Sequence, residues 1–111
     1  HVKYPKYVIK KTKSNKYYWN LYAINGQCIL TSEMYTTKQN AKHGINSSKN
    51  NNADISFVFK IAKSKLVYFV QKGLNGEIIG TSEMYSTNVN AVNGITAVKE
   101  YGSIANVEDL T

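Results

Sequence analysis

The chain has 111 residues, the size of one domain, and its apolar content of 42% predicts a folded core rather than disorder. No apolar run is long enough to cross a bilayer, and no leader motif is visible. The first residue is His1 rather than Met, so the sequence leaves open whether a leader was removed. Lysines outnumber acids 14 to 7, but arginine, the side chain best suited to bidentate phosphate recognition, is absent. The net charge of +7 therefore indicates mainly a solvated surface.

An internal repeat organises the chain, since segment 25–35 returns almost unchanged as segment 75–85. Each copy alone would bury too little surface to be comfortably stable, so the two copies are predicted to share one core. We therefore expect a single pseudo-twofold domain over 1–111, with repeat one at about 5–52 and repeat two at about 55–111.

Three strands open each repeat. In the first copy, β-branched and aromatic residues predict strands at 7–11, 17–23 and 27–32. Asn25-Gly26 predicts a two-residue hairpin turn with positive backbone angles between the last two. The second copy predicts strands at 57–61, 67–73 and 77–82, with Asn75-Gly76 at the turn. Alternation places one set of second-strand side chains in the core: Tyr17, Trp19, Leu21 and Ala23.

A helix closes each repeat. Thr36 or Thr37 in the first copy, and Ser86 or Thr87 in the second, offer a hydroxyl that caps a helix start. Gly44 and Gly94 lie inside these helices, which indicates a close approach of helix to strand. The buried helix faces are predicted to contain Ala41, Ile45, Ser48, Ala91, Ile95 and Val98.

Two further segments complete the chain. Residues 49–52 have the polarity of a linker, which places the repeat boundary near 50–55. Residues 103–110 are predicted to form one short closing helix.

Four features recur in both copies: an aromatic first strand, an Asn-Gly turn, a Ser-Glu-x-Tyr motif and an Ala-x-x-Gly-Ile helix. In these features the chain resembles the YegP-like family, DUF1508 or UPF0339, across residues 7–110. The resemblance implies an α+β fold of two tandem β-β-β-α units that share one antiparallel sheet. It further implies helices on one face and C-terminal helices exchanged between the repeats. A tandem member is expected to be a monomer with an internal pseudo-dimer, and the family carries no agreed activity. This chain departs from the family pattern at Gln71, Gly73 and Ser48, where Leu, Ala and Val are usual.

The repeated Ser-Glu-x-Tyr motif has two interpretations. Paired carboxylates related by a pseudo-twofold axis could serve as acid and base. The favoured interpretation is structural: the serine satisfies backbone groups, the glutamate favours the positive helix start, and the tyrosine packs its ring. The motif residues are Ser32, Glu33, Tyr35, Ser82, Glu83 and Tyr85.

Other chemistry finds little support. Cys28 corresponds to Ile78 and is interpreted as a small buried hydrophobe, and the lone cysteine suggests a reducing, cytoplasmic compartment. His43 corresponds to Asn93 and should be exposed, so neither copy offers a nucleophile with a base. One cysteine and two histidines do not supply the usual nitrogen and sulfur ligands of a metal site, and the sequence has no phosphate-binding loop. We therefore expect no catalytic residues, no metal and no cofactor.

The outer face of the sheet is the remaining candidate. Tyrosines and lysines interleave there as in proteins that stack bases of single-stranded nucleic acid, but exposed aromatic patches more often meet protein. The leading hypothesis is a non-enzymatic binding or interaction module of unknown role with no membrane contact, for which a protein partner and self-association on this face both stay open. The alternative is a single-stranded nucleic-acid-associated protein. The candidate binding residues are Tyr18, Tyr22, Tyr68, Lys10, Lys60 and Lys72.

Overall fold

The computed structural model describes residues 4–51, 56–73 and 75–111. The described residues form seven strands and two helices, and most predicted elements are found with ends shifted by one or two residues. The elements are β1 (Lys6–Lys11), β2 (Tyr17–Tyr22), β3 (Cys28–Ser32), α1 (Lys38–Asn50), β4 (Phe57–Ile61), β5 (Val67–Lys72), β6 (Ile78–Thr81), α2 (Asn88–Gly102) and β7 (Asn106–Asp109).

All seven strands belong to one sheet in the order β4-β5-β6-β3-β2-β1-β7. The two repeats meet at its centre, where β3 pairs with β6 and Thr31 lies opposite Thr81. The expected α+β fold with one sheet is therefore present. The prediction that the sheet is wholly antiparallel is wrong, because β7 runs parallel to β1.

The predicted closing helix at 103–110 is also wrong, because residues 106–109 form β7. Asn106 N–H donates to Pro5 O at 3.3 Å and Leu110 N–H donates to Ile9 O at 3.0 Å. The free edge of β1 offers unpaired backbone groups, and an extended segment satisfies them in a way that a helix does not. This long-range pairing overrides the helical tendency of a short polar segment.

The hairpin turns differ from the two-residue Asn-Gly prediction. Ala23 N–H bonds to Gln27 O at 2.8 Å, so Ile24, Asn25 and Gly26 form a three-residue loop. Gly26 and Gly76 each have φ of +84°, whereas Asn25 is not in the left-handed region. The β2–β3 ladder has a separate register shift further from the loop, between Leu21 and Tyr22, where Ile29 is skipped as in a β-bulge.

Both helices pack on the sheet face that carries Trp19 and Phe69. Thr37 and Thr87 cap them, each accepting a hydrogen bond from a backbone N–H three residues later at 3.1 Å. The predicted core positions of both helices are buried. Neither helix of the described residues combines the length and apolar content that crossing a lipid bilayer requires.

The C-terminal end of each helix reaches strands of the other repeat. Ser48 Oγ on α1 donates to Gln71 Oε1 on β5 at 2.6 Å. Tyr7 Oη on β1 donates to Gly102 O at the end of α2 at 3.4 Å. Helix α1 continues through Lys49 and Asn50 and Asn51 is its C-cap, so the predicted linker begins too early; its last residue, 52, lies outside the described residues. The Gln71 side chain donates hydrogen bonds to Ser48 O and Asn51 O. These bonds satisfy carbonyls at the end of α1, which explains why the helix extends through Asn50.

Candidate functional site

The first-repeat candidates form one contiguous cluster on the outer face of the sheet. Tyr18 lies directly across from Lys10 in the β1–β2 ladder. Lys10 Nζ donates to Tyr22 Oη at 2.8 Å and lies 5.3 Å from the centre of that ring. Burial pushes the pKa of Lys10 down, but the hydrogen bond to Tyr22 and the neighbouring phenols raise it above its ordinary value. The cluster therefore presents a fixed cation between two half-exposed rings.

The second-repeat candidates lie on the same face but form a separate group. Tyr68 is opposite Lys60 in the β4–β5 ladder, which repeats the Lys10–Tyr18 arrangement. Lys72 occupies the place of Tyr22, so the lysine-to-phenol hydrogen bond has no counterpart there. Strands β3 and β6 separate β2 from β5, which puts the two groups about 14 Å apart at the usual strand spacing. The structure therefore does not bring the six candidates together.

The serines of the repeated motif bind the backbone of the neighbouring strand. Ser32 Oγ accepts from Trp19 N–H at 2.8 Å and donates to Glu33 O at 2.8 Å. Ser82 Oγ makes the same two contacts, accepting from Phe69 N–H at 2.9 Å and donating to Glu83 O at 2.8 Å. Each hydroxyl thus replaces a ladder hydrogen bond at the end of its strand.

The tyrosines of the motif lie between sheet and helix. Tyr35 exchanges two 2.7 Å backbone hydrogen bonds with Tyr17, and its hydroxyl lies against Gly44, where a Cβ atom would clash with it. Tyr85 has the same relation to Gly94. Burial raises the pKa of both phenols, although the Trp19 indole N–H beside Tyr35 acts in the opposite direction. That N–H lacks hydrogen-bond geometry toward any acceptor of the described residues.

The two glutamates of the motif have different surroundings. Glu33 lines a cleft of about 470 Å³. Within the described residues, the lining of this cleft does not include Glu83. Glu83 lies near Cys28, whose pKa is raised by burial and further by this carboxylate. Helix α1 has no acidic residue in its own first turn, and Glu33 lies five residues before the helix begins, so its role at the helix start stays a prediction. Cys28 is half-buried rather than buried, because it lies on the outer face beside Asn20 and Thr31.

The cleft contains residues that the sequence interpretation did not select. It lies between α1 of repeat one and the β5–β6 hairpin of repeat two. A matching cleft of about 560 Å³ lies between α2 and the β2–β3 hairpin. Both clefts contain the same pair of asparagines, Asn40 with Asn75 in the first and Asn90 with Asn25 in the second. Comparison of the two repeats in the sequence could have revealed this repeated pair. Besides Glu33, the polar residues of the first cleft include Asn40, His43, Ser47, Asn75 and Glu77, and His43 is exposed as predicted.

A family model described as a domain of unknown function, DUF1508, matches residues 13–56 and again residues 62–109. The chain belongs to this family. Two consecutive matches confirm the tandem repeat that the sequence predicts.

Relatives of known sequence and structure support the assignment. The chain is 58% identical over 45 residues to the UPF0339 protein plu2779 of Photorhabdus laumondii and 51% identical over 45 residues to the UPF0339 protein YegP of Yersinia pestis. Each alignment spans 40% of the chain and about two fifths of the length of the relative.

Two solution NMR structures are similar over nearly the full chain. The UPF0339 protein SO3888 from Shewanella oneidensis has a TM-score of 0.90 at 39% identity, covering 96% of this chain and 91% of that protein. The protein of unknown function yegP from E. coli has a TM-score of 0.91 at 36% identity, covering 100% and 97%. The names of these relatives state no activity, so function must be argued from the surface itself.

Proposed function

We propose that this protein is a small non-enzymatic interaction module that binds a protein partner through the outer-face cluster Lys10, Tyr18 and Tyr22. The contact that carries the proposal is the 2.8 Å hydrogen bond from Lys10 to Tyr22. Tyrosine is enriched at interfaces and brings large contact area at low entropic cost. A lysine that is already ordered by a phenol loses less freedom on binding than a solvated one.

The non-enzymatic part of the proposal rests on the separation of reactive groups. Glu33 lines the first cleft and Glu83 lies beside the half-buried Cys28 on the outer face. Among the described residues, no group of three or more histidine, cysteine or acidic side chains is placed to hold a metal ion. A reducing cytoplasmic location belongs to the same proposal, since Cys28 is a free thiol.

The proposal includes a monomer whose helices are exchanged between the repeats. It is supported by the Ser48–Gln71 contact and by the approach of Gly102 to Tyr7 across the repeat boundary. Sedimentation analysis should then give the mass of one 12.5 kDa chain at micromolar concentration. A mass of two chains would contradict the internal pseudo-dimer.

Affinity capture tests the outer-face surface. Immobilised protein should retain a specific partner that the Tyr18→Ala/Tyr22→Ala variant loses, while an Ile24→Ala variant on the exposed β2–β3 loop retains it. Both tyrosines are half-exposed, so unfolding of the double variant would show that they support the core and would overturn the proposal. Equal retention by all three proteins would also overturn it.

A second candidate function is binding of single-stranded nucleic acid. The observation that favours it is the repeated pairing of a tyrosine with a lysine across one ladder, Tyr18 with Lys10 and Tyr68 with Lys60. Stacking on such rings with lysines along the backbone gives binding that weakens steeply with salt. Fluorescence titration of labelled RNA and DNA at two salt concentrations decides between the candidates. Micromolar, salt-sensitive binding favours nucleic acid, and no binding at low salt leaves the protein partner.

A further inference from the structure

The two repeats end differently at the edges of the sheet. Strand β1 of repeat one and strand β4 of repeat two are equivalent, since each is the first strand of its copy. The outer edge of β1 is covered by β7, whereas within the described residues β4 pairs with β5 alone. In the part of the chain that the structure describes, the second copy therefore has an open edge where the first copy has a bound strand.

Side-chain exposure follows this difference. Ile9 on β1 is 0% exposed, and its counterpart Phe59 on β4 is 47% exposed. Val8 is 3% exposed, and its counterpart Val58 is 36% exposed. Strand β4 thus exposes apolar side chains on both faces, with Lys60 as its one charged residue. A lysine on an exposed edge discourages pairing with another basic strand, but it does not discourage pairing with an acidic one.

The covered edge shows what kind of segment such an edge accepts. Strand β7 is extended, runs parallel to β1 and carries two acids. Glu108 pairs with Lys6 at 2.7 Å and Asp109 pairs with Lys38 at 3.0 Å. Backbone hydrogen bonds attach β7 to β1, and the two ion pairs help to fix the register of β7 along the edge.

The surroundings of β4 also favour an acidic segment. Residues 56–73 contain four lysines and no acid. Beside the edge lies a groove of about 590 Å³ between β4 and the start of α2, and its apolar lining is Phe59, Ile61, Val67 and Val92. Two copies joined edge to edge would bring like charges together in a protein of net charge +7, which disfavours self-association.

We propose that the open edge of β4 is a strand-addition site for an acidic, extended segment of a partner protein. The segment runs parallel to β4, as β7 runs along β1, and places apolar side chains in the groove lined by Phe59, Ile61 and Val92. Its carboxylates meet Lys60 on β4 and Lys63 and Lys65 in the following turn, because Ser56 and Asn88 stand where Lys6 and Lys38 bind the acids of β7. This edge is distinct from the outer-face cluster of repeat one, so the two surfaces are testable independently.

A synthetic peptide tests the site. The probe has the sequence of residues 104–111, which covers the equivalent edge of β1, with both termini blocked. Titration into the labelled protein should shift amide NMR signals of residues 57–61 and of Val92 and slow their hydrogen exchange. A control peptide with its Glu and Asp replaced by Lys should bind at least about tenfold more weakly.

Exposed groove residues provide the matched variants. Ile61→Asn with Val92→Asn should weaken peptide binding at least about tenfold, while Ile24→Asn, an equally exposed apolar position on the β2–β3 loop, should leave it unchanged. The proposal is overturned by an absence of β4 shifts at about 1 mM peptide, by equal binding of the lysine peptide, or by shifts at β1 and β7 instead. Concentration-dependent β4 shifts without peptide would show that a second copy occupies the edge, and would overturn it too.

Discussion

Gln71 on β5 and Ser48 on α1 form a fully buried polar pair at the junction of the repeats. Gln71 accepts from Ser48 Oγ at 2.6 Å and donates to Ser48 O at 2.9 Å and to Asn51 O at 2.8 Å. At the equivalent junction of the other helix the residues are Leu21 and Val98, which are both buried in the core. The two departures from the family pattern thus compensate each other, one polar residue satisfying the other.

This pairing predicts non-additive effects of substitution. Gln71→Leu alone should lower the free energy of unfolding by ~1–3 kcal/mol, because it leaves the Ser48 hydroxyl and two carbonyls without partners. Adding Ser48→Val should recover part of this loss, since it recreates the Leu–Val contact of the other junction. Urea unfolding of the two single variants and the double variant measures the coupling. Strictly additive losses would show that the two side chains do not act as a pair.

Gly44→Ala should destabilise the protein by ~1–3 kcal/mol, because the added Cβ would overlap the Tyr35 hydroxyl and crowd the Trp19 ring. Helix propensity alone predicts the opposite sign, a gain of ~1 kcal/mol. The same measurement on Asn46→Ala, an exposed position of α1, provides the control and should show no loss. Trp19, the single tryptophan, reports unfolding by fluorescence. A stabilised Gly44→Ala variant would mean that Tyr35 moves aside freely.

Lys65 should tolerate replacement by asparagine with a gain in stability. Its φ of 68° lies in the left-handed region, where a lysine side chain is strained, and the equivalent position of the first hairpin is Asn15 with φ of 64°. Lys65→Asn is expected to raise the free energy of unfolding by ~0.5–1 kcal/mol. The reciprocal change Asn15→Lys should lower it by a similar amount. Thermal unfolding of both variants checks the prediction, and shifts of the same sign would contradict it.

Stability should fall at alkaline pH because of Tyr7. Burial raises the pKa of this phenol to about 12 from an ordinary value of 10.0. Folding favours the neutral phenol, so its contribution is complete below pH 10 and is lost as the pH rises through about 12. Absorbance titration should show a tyrosine that ionises near pH 12, and this step should be missing from Tyr7→Phe. Ionisation of Tyr7 near pH 10 in the folded protein would contradict its burial.

Local elements were predictable because their signals lie within a few residues. Alternation identified Trp19 and Leu21 as core residues, and hydroxyls placed each helix cap at one of two neighbouring residues, of which Thr37 and Thr87 are the caps. The duplication itself predicted the shared core of two repeats. The candidate surface was predicted only in part: Lys10, Tyr18 and Tyr22 lie together, whereas Tyr68, Lys60 and Lys72 lie beyond two intervening strands.

Tertiary structure alone decided the features that depend on distant partners. Residues 106–109 form a strand because the edge of β1 supplies backbone partners about a hundred positions away along the chain. Ser48 and Gln71 are tolerated in the core because the fold places them in contact, where each satisfies the polar groups of the other. Neither position indicates this contact by itself. The open edge of β4 likewise follows from the absence of a matching strand in the described part of repeat two. Sequence patterns determine which elements form, because short-range sterics and amphipathicity act within each segment, and the pairing of edges decides which surfaces remain available for binding.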